Sequence, residues 1–114
     1  MIKHYFCLLF VFLFGIELTA QNESIKQQIK ITVDRFIEGM NNSDTTTVKM
    51  LVDKNVGLLT VFSDGKKNIL TAETIDMMLE SMAMPRTKVY HEEQANCVIE
   101  TNNVLASVWC DYVF

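Results

Sequence analysis

The stretch that decides the fold is Gln94-Ala95-Asn96-Cys97-Val98-Ile99-Glu100-Thr101-Asn102-Asn103-Val104-Leu105-Ala106-Ser107-Val108-Trp109-Cys110-Asp111-Tyr112. β-Branched, aromatic and small residues alternate on both sides of an Asn-Asn pair, the pattern of two strands joined by a tight turn. The reading places long strands at Lys88–Glu100 and Val104–Phe114, with a two-residue turn at Asn102-Asn103. Thr101 then faces Val104, Cys97 faces Val108 and Cys110 faces Ala95. One face carries Ala95, Cys97 and Ile99 with Ala106, Val108 and Cys110, small and apolar throughout, and is expected to pack on helices. The other carries Gln94, Asn96, Val98 and Glu100 with Leu105, Ser107, Trp109 and Asp111, suited to solvent or to a dimer partner near Trp109.

Upstream the period changes from two to that of a helix. Ser24-Ile25-Lys26-Gln27 has the spacing of a capping box. Ile25, Ile29, Val33, Phe36, Ile37 and Met40 then follow at helical intervals. Gly39 and Asn41-Asn42 are expected to end this helix. Asp44 can cap a second one with Val48, Leu51 and Val52 on its apolar side. Val56–Phe62 and Lys66–Leu70 read as a hairpin around Ser63-Asp64-Gly65. Thr71 is a candidate cap for a third helix bearing Ile75, Met78, Leu79 and Met82, which Pro85 stops. Helix, helix, hairpin, helix, long hairpin is an α+β order, in which three helices pack on an antiparallel sheet.

The beginning of the chain has a different character. Lys3 is followed by an apolar run from Tyr5 to Ile16, and Leu18-Thr19-Ala20 ends in a small residue, as a secretory signal does. The run covers about 12 residues where a spanning helix needs about 20, so cleavage after Ala20 is expected rather than a membrane anchor. Residues 21–114 then form a single periplasmic or secreted domain. Of the three cysteines, Cys7 leaves with the leader, and Cys97 and Cys110 remain in an oxidising compartment. They form either a disulfide or two buried thiols. The two-residue turn makes them diagonal neighbours and so favours thiols. Two cysteines and one histidine are too few for a zinc site, and no cofactor motif is present. The net charge of −4 comes without a basic patch, which argues against a nucleic-acid partner.

Phe36 and Met40 late in the first helix, Asp44 opening the second, and Val104–Tyr112 with its Val-Trp-x-x-Tyr end together resemble the nuclear transport factor 2-like superfamily. That group includes the SnoaL-like and ketosteroid-isomerase-like proteins. The resemblance covers Ile25–Phe114 and implies a strongly curved, cone-like sheet around a pocket. Two further strands normally close the cone, so the chain reads as truncated at its C-terminus, with an apolar edge at Tyr112-Val113-Phe114. The family's catalytic set does not transfer residue by residue.

At the wide end of such a cone, Glu93 would face Tyr112 and His91 would face Phe114. Glu93 could orient His91 as a general base while Tyr112 donates to an oxyanion, the layout of an isomerase or dehydratase. A bulge would reverse the alternation and leave these residues as solvated groups at a strand end. Met78 and Met82, within the set Met77, Met78, Met82 and Met84, are either core or an adaptable lining for an apolar ligand. Three functions stay open: binding of a small apolar or amphipathic molecule with Met78, Met82 and Tyr112 at the site; proton-transfer catalysis by His91, Glu93 and Tyr112; or a dimerising module without a ligand.

Overall fold

The computed structural model describes residues 2–89 and 91–113, with side chains from residue 20 onward. The leader's side chains, Cys7 among them, and Phe114 opposite His91 lie outside the described residues. The architecture is α+β: α1 (Ile2–Asn41), α2 (Thr45–Leu51), β1 (Gly57–Ser63), β2 (Asn68–Thr74), α3 (Ile75–Ala83), β3 (Glu93–Thr101) and β4 (Ala106–Val113). The strands form two antiparallel two-stranded sheets, β1-β2 and β3-β4, and no closed barrel is present among the described residues. The chain divides into two compact units. One combines α1 up to Ile31 with Gln94–Asp111, and the other combines Thr32–Glu93 with the end of β4 from Tyr112. Among the described residues no helix is long and apolar enough to cross a membrane.

The second unit is organised around Val48, which is wholly buried, with Ile75 and Met82 beside it and Phe36, Met40, Val52, Val56, Met78 and Leu79 packed around them. The helical stripes read from the sequence supply all of these side chains but Val56, because residues three and four apart share a face. Gly39 is not a terminator but lies within the last turns of α1. A Cβ there would come within 2.9 Å of Val48 Cγ2, so the missing side chain is what lets α2 close on α1. The helix ends two residues later. Asp44 N–H donates to Gly39 O at 2.8 Å and Ser43 N–H to Met40 O at 3.2 Å, with Ser43 at a left-handed φ of 55°.

Asp44 caps α2 as its spacing predicts, accepting from Thr47 N–H at 3.0 Å and from the Thr47 hydroxyl at 2.6 Å. These two bonds, the hydroxyl first, hold the Asp44 carboxyl below its ordinary range. Three other boundaries differ from expectation. Ser24 is no cap; α1 runs through it, with no Pro in Gln21–Ser24 to interrupt the helix. Thr74 rather than Thr71 caps α3, accepting from Met77 N–H at 3.2 Å. The reason is that β2 stays paired with β1 up to Gly57 opposite Thr74, which keeps Thr71 in the ladder facing Thr60. β3 begins at Glu93 rather than Lys88.

In the first unit the long hairpin turns through four residues, Asn102–Leu105, and not two. Asn102 N–H donates to Leu105 O, while its side-chain oxygen accepts from the amides of Val104 and Leu105 at 3.0 and 2.8 Å. The longer turn moves the pairing between Cys97 and Cys110 along by two residues, so the faces there persist but the partners change. Cys97 now stands directly opposite Cys110, their Cα atoms 4.1 Å apart, and the two form a disulfide. The expectation of free thiols is thereby corrected. Asn96 Nδ2 donates to Asp111 Oδ2 at 2.8 Å in the same register. Cys97 and Ile99 with Val108 and Cys110 are half-buried, whereas Ala95 and Ala106, expected on that face to be covered, are exposed.

Replacing Gly39 by Ala gains about 0.5–1 kcal/mol of helix propensity and costs about 1–3 kcal/mol of overpacking against Val48. A net loss of about 1 kcal/mol is expected in denaturant unfolding. Val48→Ala should relieve that clash, so the double variant should lose less than the sum of the single losses. A stabilised Gly39→Ala variant would contradict the close packing.

Candidate functional site

The site is built in the second unit, where the end of α1, the hairpin β1-β2, α3 and the segment before β3 meet. Asn41, the last residue of α1, fixes that segment. Its Nδ2 donates to Glu92 O at 2.9 Å, and its Oδ1 accepts from Glu92 N–H at 2.9 Å. A side-chain amide thus satisfies both backbone groups of a residue outside any helix or strand, as a neighbouring strand would. Half-buried polar groups of this kind need such partners.

The result is a cleft of about 330 Å³. Phe36, Ile37, Met40 and Met78 form its helical wall, Leu58 and Leu59 its strand wall, and Thr60, Glu73, Glu92 and Tyr112 its polar lining. Leu58 and Glu73 are direct cross-strand partners, so they present an apolar and an acidic group side by side. Mostly apolar walls with a few convergent polar groups are the usual make-up of a small-molecule site. Among the described residues, no group of three or more His, Cys, Asp and Glu side chains gathers as a metal site.

The sequence candidates divide. Met78 and Tyr112 both line the cleft. Met82 belongs to the buried core and is only 3% exposed. His91 and Glu93 do meet, Nε2 to Oε1 at 3.2 Å, but both are well exposed and neither lines the cleft that Tyr112 lines. A break in the alternation of β3 accounts for this. Asn96 has a φ of 51°, and the half-buried positions step from Glu92 and Gln94 to Cys97 and Ile99, skipping one residue. Glu92 therefore takes the place on the cleft that regular alternation assigned to Glu93. The sequence reading missed Glu92, Glu73 and the role of Asn41. An Asn inside a strand pattern was the available signal, since Asn adopts the left-handed region more readily than most residues.

No known protein family, curated protein or solved structure matches the chain.

Asn41→Ala removes both bonds to Glu92 and leaves two half-buried backbone groups without them, at a cost of about 1–3 kcal/mol. A lower melting temperature is expected, with NMR shifts concentrated at Glu92 and along the cleft. An Asn41→Ala protein with wild-type stability and an unchanged spectrum near Glu92 would refute the clamp.

Proposed function

We propose that this protein is an exported binder of a small apolar or amphipathic molecule, held in the cleft between Phe36, Leu58, Met78 and Tyr112. The observation that carries the reading is the composition of that cleft, with aromatic, aliphatic and thioether walls and two carboxylates, Glu73 and Glu92, on one lining. Such a lining suits a ligand with an apolar body and a neutral or cationic polar end. The element order supports a nuclear transport factor 2-like, cone-like fold, which belongs to the same proposal. Export rests on the leader, and the Cys97–Cys110 disulfide supports a periplasmic or secreted location, because such bonds persist in oxidising compartments.

Catalysis by His91, Glu93 and Tyr112 is the weaker reading. Only the His91–Glu93 contact favours it, and that contact is at the surface. Self-association has a specific observation behind it: Trp109 is 72% exposed and Val98 56%, on one face of β3-β4. Analytical ultracentrifugation of wild type and Trp109→Ala tests that second reading.

The binding proposal is tested with the neutral fluorophore N-phenyl-1-naphthylamine. Saturable binding is expected, weakened about fivefold by Leu59→Gln through ~1 kcal/mol of lost apolar contact. Leu59 is largely exposed, so the fold should tolerate the change. Val61→Gln, at the next exposed position on that strand face but off the cleft lining, should leave binding intact. Equal effects of both variants, or none from Leu59→Gln, would overturn the assignment.

A further inference from the structure

Four of the chain's seven methionines line one opening, and the apolar cleft uses only two of them. This opening, about 420 Å³ and wholly within the second unit, has Met40, Met78, Met82 and Met84 on its walls. Met78 and Met82 stand one helical turn apart on α3, so their side chains share a face. Met84 follows as the C-cap residue of α3 with extended backbone, and Met40 arrives from the last turn of α1. Leucine would fill such positions with equal apolar volume. What the methionines add is a thioether sulfur, a soft donor.

We propose that this opening is a binding site for a soft monovalent cation of the Cu(I) class, held by thioether sulfurs. Thioethers select Cu(I) and similar d10 ions and bind hard or borderline divalent ions poorly. Glu73 and Glu92 line the same opening and supply negative charge, offset in part by Arg86. Cys97 and Cys110 are committed to each other in a disulfide, so no thiol of that pair competes for the ion. The pattern differs from a zinc site, which needs imidazole or thiolate ligands that this opening does not contain. The inference rests on the thioether set and not on the apolar-ligand reading, although the two openings share Met40, Glu73, Met78 and Glu92.

The test uses the full chain carrying Cys7→Ser, with methionine methyl groups labelled with carbon-13 and Ag(I) as a redox-silent probe in chloride-free buffer. The expected result is a saturable shift of the Met40, Met78, Met82 and Met84 methyl signals, with the exposed Met50 and Met77 unmoved. Met82→Leu combined with Met84→Leu, neither of which lines the apolar cleft, conserves volume and should keep the fold. It should weaken Ag(I) binding at least about tenfold while retaining N-phenyl-1-naphthylamine binding. Absence of dye binding to the wild-type protein, with its Ag(I) binding intact, would overturn the apolar-ligand reading alone. The metal proposal is overturned if Ag(I) moves none of the four signals, if it moves Met50 and Met77 as much as those four, or if the double variant binds as tightly as wild type.

Discussion

Everything in the second unit depends on how the last turn of α1 meets the chain that returns to it fifty-one residues later, at Glu92. Three consecutive residues do three separate things there. Gly39 lacks the Cβ that would collide with Val48, Met40 packs on the core that Val48 anchors, and Asn41 bonds both backbone groups of Glu92. Helix contact, core and cleft lining are therefore set within one turn. A larger residue at Gly39 pushes α2 away, and a shorter one at Asn41 releases Glu92 from the cleft.

The first unit reaches the same end by covalent means. Its hairpin has few buried side chains, and the Cys97–Cys110 bond ties the two strands across thirteen positions of sequence. Closing a loop of about that length removes roughly 3 kcal/mol of chain entropy from the unfolded state. The Asn102 side chain, accepting from two successive amides, selects the four-residue turn that puts the cysteines in register. Turn chemistry and disulfide are thus one feature seen at its two ends.

Much of this was legible in the sequence wherever a single periodicity or a single cap carried the information. The stripe from Ile25 to Met40, the α3 face of Ile75, Met78, Leu79 and Met82, the Asp44 cap and the stop at Pro85 all follow from local rules. What escaped was decided by pairing. Thr71 and Thr74 are equally good caps in isolation, and only the ladder to β1 chooses Thr74. Two Asn residues suit a two-residue turn, yet Asn102 spends its side chain on Val104 and Leu105 and lengthens it. The bulge at Asn96 moved the acidic residue of the cleft from Glu93 to Glu92, and with it went the expected grouping of His91, Glu93 and Tyr112. Local signals name the elements; register, which is non-local, decides which side chains reach the site.

The central claim is that the Asn41 amide holds Glu92 in place and so shapes the cleft. Hydrogen exchange at the Glu92 amide measures it most directly. This amide lies outside every helix and strand, and its bond to Asn41 Oδ1 is the one that should slow its exchange. The account predicts protection at Glu92 comparable with that of core amides such as Val48. Exchange at the unprotected rate of an exposed loop residue such as Val89 would contradict it.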